Sequence, residues 1–126
     1  MFIFDTNATP QAITWPVTVK LPRDGGDYAE LNFSASFKRI PEDEYLALLE
    51  RHKATDDTFA AQQRANAGIF SELMTGWTGV VAPDQTPITY SDGLLRTLLT
   101  GTDGMHISNG LYQAYNEIRL GGRQKN

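Results

Sequence analysis

Two stretches of the chain alternate apolar and polar residues, and both keep their apolar residues at odd positions. Ile13, Trp15, Val17, Val19 and Leu21 make the first apolar set, and Ala29, Leu31, Phe33, Ala35 and Phe37 make the second. The intervening positions are polar in both stretches, apart from Pro16. Successive side chains of a strand point to opposite faces, so each stretch has one apolar face and one wet face. The connector Pro22-Arg23-Asp24-Gly25-Gly26-Asp27 holds two glycines that take positive φ at little cost, which predicts an antiparallel hairpin. Pro16 has no N–H to give to a ladder, so its strand is expected at a sheet edge. Phe2 to Phe4 is a candidate for a further short strand.

Beyond Ile40 the period lengthens. Pro41 suits a first helical position, and Glu42, Asp43 and Glu44 suit the first turn, where the helix dipole favours acids. Tyr45, Leu48, Leu49 and His52 then share one stripe. Asp56 or Asp57 is the expected cap of a longer helix running from about Thr58 to Thr75. Gly76-Trp77-Thr78-Gly79-Val80-Val81 is expected to end that helix as a turn, followed by a loop with two prolines. Ser91 is a plausible cap for a helix carrying Leu94, Leu95, Leu98 and Leu99, and Gly101 to Gly104 should break it. A last helix carries Leu111, Tyr115 and Ile118, with Tyr112 beside them, and stops at Gly121-Gly122.

The expectation is one α+β domain over 1–126, an N-terminal antiparallel β-hairpin or small sheet packed against about four α-helices. The hairpin region is 1–40, the helical region 41–120 and a flexible tail 121–126.

Composition narrows the chemistry. The chain has no cysteine, which excludes thiolate metal sites, iron–sulfur clusters, cysteine nucleophiles and disulfides. Its formal net charge of −4 has the wrong sign for a phosphate-binding surface and argues against nucleic acid as a partner. No stretch approaches the length of a membrane span, and the apolar start Met1-Phe2-Ile3-Phe4 lacks the basic residues of a signal peptide. A location in the bacterial host cytoplasm is the expectation.

No residue is nominated as catalytic, cofactor-binding or metal-ligating. Neither His52 nor His106 has a second histidine three or four residues away to form a helical metal pair. The clusters Glu42-Asp43-Glu44 and Asp56-Asp57 stand at helix starts, where solvated acids are expected without any catalytic role. Asp24-Gly25-Gly26-Asp27 and Gly76 to Gly79 match no phosphate loop. What remains is apolar. Trp15, Phe70, Met74, Trp77, Tyr112 and Tyr115 are the candidates for a partner-binding groove, because aromatics and methionine are enriched at such surfaces.

Three pieces stand in a telling order. Thr14-Trp15-Pro16-Val17-Thr18-Val19 comes first, then Phe33-Ser34-Ala35-Ser36-Phe37-Lys38-Arg39, then Gly76-Trp77-Thr78-Gly79-Val80, followed by Thr89-Tyr90-Ser91 and two leucine pairs. This order resembles the tail assembly chaperones of long-tailed bacteriophages and prophages, over roughly Phe2 to Tyr115. The loop Asp84-Gln85-Thr86-Pro87 departs from the pattern, which has a glycine there. The resemblance implies a non-catalytic protein that binds tape measure protein, together with major tail protein, through an apolar groove between the helices or beside the hairpin, with Trp77 near it. It implies no cofactor. A structural tail component, such as a tube-terminator or connector subunit, is the competing reading.

Overall fold

The computed structural model describes residues 1–6 and 11–121, and the tail expected beyond Gly121 lies outside them. The two alternating stretches are strands β1 (Ile13–Arg23) and β2 (Asp27–Phe37), paired antiparallel from Ile13↔Phe37 to Arg23↔Asp27 without a slip. Gly25 and Gly26, at φ 88° and 80°, make the turn that the connector predicts. A one-residue slip would turn every apolar side chain to the wet face, and this penalty fixes the register.

Four helices follow, α1 (Glu42–Arg51), α2 (Phe59–Leu73), α3 (Asp92–Leu99) and α4 (Gly104–Leu120), with a third strand, β3 (Met74–Thr78), between α2 and α3. The arrangement is α+β, a three-stranded antiparallel sheet ordered β1-β2-β3 with four helices. Strand β1 is therefore an edge strand, as Pro16 requires.

Strand β3 corrects the expected turn. The segment read as the end of α2 instead leaves the helix at Met74, whose ψ is already 146°, and pairs with β2 from Phe37↔Met74 to Ser34↔Thr78. Thr75 is the extra residue in a bulge opposite the Ser36/Phe37 step. Five residues containing a glycine are too short to display alternation, while Thr75, Trp77 and Thr78 all favour extended backbone. The turn itself falls one step later, at Gly79 with φ 83°. Phe2 to Phe4 forms no strand and is exposed.

Two helix starts also shift. Pro41 is the residue before the first turn of α1, with ψ 152°, and not its first helical residue. Thr58 caps α2 by accepting from the Ala61 N–H at 3.1 Å, and Asp56 in turn accepts from the Thr58 N–H and hydroxyl at 2.8 and 2.6 Å. Ser91 caps α3, accepting from the Leu94 N–H at 3.1 Å.

One apolar cluster joins the hairpin to the helices through side chains such as Val17, Phe37, Tyr45, Phe70, Leu99 and Tyr115. Full burial of a side chain such as Phe37 contributes about 1.5–3 kcal/mol from water exclusion. Helix α4 lies against β1 at Gly110, where an added Cβ would stand 2.6 Å from the Thr18 carbonyl oxygen and 3.1 Å from Val19 Cγ2. No larger residue fits there without moving one of the two elements.

Candidate partner-binding surface

The six aromatic and methionine candidates divide by burial. Phe70, Met74 and Tyr115 are core residues, 0%, 4% and 2% exposed, and are withdrawn as surface groups. Phe70 and Tyr112 meet edge to face at 4.7 Å, Tyr115 packs on Phe37 and Tyr45, and the Tyr115 hydroxyl donates to the Lys38 carbonyl at 3.2 Å. Helical spacing places Phe70 and Tyr115 on their stripes, but it misplaces Met74, which begins β3, and it does not show the sheet face that closes over them.

Trp15, Trp77 and Tyr112 are half-buried. Trp15 pairs with Ala35, and Ala35 pairs with Trp77, so the two indoles flank one buried alanine in a single row across the sheet. At the usual strand spacing they stand about 10 Å apart. Each indole N–H is satisfied: Trp15 donates to Glu117 Oε1 at 3.0 Å, and Trp77 donates to the Ile88 carbonyl at 2.8 Å. Trp77 also meets Tyr90 edge to face at 4.9 Å. The Tyr112 hydroxyl donates to Asn66 Oδ1 at 3.0 Å, and burial pushes its pKa up to about 12.

A cleft lies beside the hairpin, but it is polar and Trp77 does not line it, so it is not the apolar groove that the resemblance implies. A cleft of about 700 Å³ runs between β1, at Pro16 and Thr18, and the α4 residues His106, Asn109, Gln113 and Glu117. It continues as a shallower depression of about 490 Å³ past Tyr112 and Leu120. The lining is mainly amides and charges, not a greasy slot. Asn109, Gln113 and Glu117 recur at intervals of four on α4, a polar stripe visible in the sequence and not singled out there. Lys20 and Glu30 stand 4.0 Å apart in the same cleft with side chains 68% and 55% exposed, so water screens that pair.

Two of the acids flagged at helix starts, Glu42 and Asp56, have local partners. Glu42 accepts a two-pronged bond from Arg119 at 2.7 and 2.8 Å, and that guanidinium holds the Glu42 carboxyl below its ordinary value. The same arginine lies 4.5 Å from the Tyr45 ring centroid, tying the end of α4 to the start of α1. Bonding to Thr58 lowers the pKa of Asp56. His52, at the end of α1, pairs with Glu72 on α2 and packs so closely on Gly68 that no Cβ fits between them. Arg51 and then His52 lower the pKa of Glu72. Among the described residues no group of three or more metal-capable side chains gathers, and no helix is long and apolar enough to cross a membrane.

No family model, curated protein or solved structure matches this chain.

Proposed function

We infer that this protein is a phage or prophage tail assembly chaperone. It binds tape measure protein, and with it major tail protein, in the host cytoplasm, and it performs no chemistry of its own. The observation that carries this reading is that the three sequence pieces behind the resemblance are the three neighbouring strands of one sheet. The aromatic-Pro-Val piece is β1, the Phe-x-Ala-x-Phe piece is β2 and the Gly-Trp-x-Gly piece lies on and just beyond β3, with Trp15, Ala35 and Trp77 in one row. Motifs that were separate in sequence thus form a single packing unit.

The one departure from the resembled pattern falls in a loop of unusual backbone conformation. Gln85 occupies the loop where the resembled pattern has glycine, and it is the only non-glycine residue at positive φ among the described residues, at 68°. The loop keeps a conformation suited to glycine although the glycine is gone.

The physical role follows from what a tape measure chain presents. A long, helix-rich polypeptide exposes apolar stripes that self-associate before the tube encloses them. A small acidic domain can cover such stripes reversibly while its charge keeps the complex dispersed. Leu46, Phe59 and Leu120, 52%, 79% and 71% exposed, are apolar groups on three different helices available for that contact.

Co-expression with the tape measure protein of the same gene cluster should raise the yield of that protein in the soluble fraction, and the two should co-purify. Unchanged yield without co-purification would overturn the assignment. Mass spectrometry of purified particles separates the competing structural reading, since a chaperone is absent from finished virions and a tube-terminator or connector subunit is present.

A further inference from the structure

The most exposed apolar segment of the described chain is Met1 to Phe4. Phe2, Ile3 and Phe4 are 87%, 80% and 77% exposed, so their own fold does not cover them. The Phe2 and Phe4 rings stack at 6.5 Å with an interplanar angle of 22°. Residues two apart meet on one side when the backbone is extended, so the segment already displays the alternation of a strand. It contains no proline, and every residue in it can donate to a ladder.

The same molecule has an unfinished sheet edge. Strand β3 pairs with β2 only from Phe37 back to Ser34, and Gly79 still lies against Phe33, leaving β2 from Asp27 to Asn32 without a strand neighbour on that side among the described residues. Three observations give the direction of its backbone groups. The Lys38 N–H donates to the Leu73 carbonyl at 2.7 Å, the Ser36 carbonyl accepts from the Thr75 hydroxyl at 3.4 Å, and Pro16, which cannot donate, is the β1 partner of Ser34. Even-numbered residues of β2 therefore aim their N–H and C=O groups away from β1. Continued down the strand, this alternation leaves Tyr28, Glu30 and Asn32 facing the open edge. Among the described residues only the Tyr28 N–H is blunted, by the Asp27 carboxylate at 2.8 Å. Beside this edge the apolar face of the hairpin is also bare, with Leu31 51% exposed next to half-buried Leu21 and Ala29.

We propose that the Phe2–Phe4 segment of one copy adds as a strand to the open edge of β2, at Tyr28–Asn32, in a second copy. The fit is twofold. The segment supplies backbone donors and acceptors to the unpaired groups of β2, and its alternation puts Phe2 and Phe4 over Leu31 while Ile3 falls on the polar face beside Glu30. The second copy is the occupant because each molecule exposes both halves of the contact at once and leaves both unsatisfied. The residues from Asp5 to Ala12 span at most about 26–29 Å at about 3.3–3.6 Å each, long enough for an arm to cross to a neighbour. Exchange of arms about a two-fold axis would close both edges and stop further growth. This self-association goes beyond the chaperone reading and does not rest on it.

The chain has no cysteine, so the double variant Ile3→Cys with Glu30→Cys carries only the two thiols under test. Oxidised and run without reductant, it should migrate at twice the 14.0 kDa of one chain. Adding Phe2→Ser and Phe4→Ser to that variant should abolish the linked species. The cysteine-free chain should be a dimer by light scattering, and Leu31→Lys, a change at an exposed position, should shift it to a monomer with an unchanged circular dichroism spectrum and a somewhat lower thermal melt. A bridge formed within one chain would put the arm on its own sheet and overturn the proposal. A monomeric cysteine-free chain, or a dimer that survives Leu31→Lys, would overturn it equally.

Discussion

The two halves of the β1–β2 hairpin share one sequence pattern and have opposite surroundings. At the base, Val17, Ala35 and Phe37 are at most 1% exposed beneath the helices and beside β3. Toward the tip the same odd-numbered face continues through Leu21, Ala29 and Leu31, but Leu31 is 51% exposed. Alternation therefore specifies which face is apolar and says nothing about how far along the strand that face is covered. Coverage depends on where α4 and β3 stop. Strand β3 ends opposite Ser34, and the Gly110 backbone of α4 lies against Thr18 and Val19. Stability should accordingly be concentrated at the base, leaving the tip available for contacts with other chains.

The largest expected effect tests that division directly. Phe37→Ala removes a fully buried ring that packs on Tyr115 at 5.5 Å, and should cost about 3–5 kcal/mol in urea unfolding. Leu31→Ala, six positions earlier on the same face, removes mostly hydrated surface and should cost under about 0.5 kcal/mol in the monomer. Comparable losses at the two sites would mean that the tip is covered after all.

Glycine substitutions separate the halves by mechanism. Gly110→Ala drives a methyl group toward the Thr18 carbonyl, and backbone on both elements must shift, at about 1–3 kcal/mol. Gly26→Ala meets nothing within 4 Å, so its cost is only that of placing an L residue at φ 80°, about 1 kcal/mol. A larger loss at Gly26 than at Gly110, measured by the same denaturation, would contradict close packing of α4 on β1.

How much of this was legible follows from the same contrast. The hairpin could be read because its pattern repeats over two strands of 11 residues with one turn between them. Helix α3 could be read from Ser91 and its leucine pairs, which are local signals. Strand β3 could not, because its pairing partner lies about forty residues away in sequence and its own five residues carry no period. The candidate surface was half legible for a related reason. Phe70, Met74 and Tyr115 are apolar and periodic, as groove residues and core residues both are, and only the packing of the sheet assigns them to the core. The amide stripe of α4 is readable but chemically bland, and only the run of β1 alongside it makes it one wall of a cleft.

The smallest expected effect concerns positive φ held by the wrong residue. In the hairpin turn glycine occupies both such positions, whereas after β3 Gly79 occupies one and Gln85 the other, at 68°. The Gln85 N–H donates to the Ala82 carbonyl at 2.8 Å, and the Ala82 N–H donates to the Thr86 carbonyl at 2.9 Å, so the small loop is fully closed around the strained residue. Its side chain is exposed, and nothing but backbone conformation is at stake. Gln85→Gly should relieve about 1 kcal/mol of left-handed strain while adding a somewhat smaller entropy to the unfolded chain, for a net gain of about 0.5 kcal/mol. The sign is the informative part: the same replacement at an ordinary β or helical position would destabilise. A loss of stability at Gln85 would mean that the loop does not hold this left-handed conformation in solution.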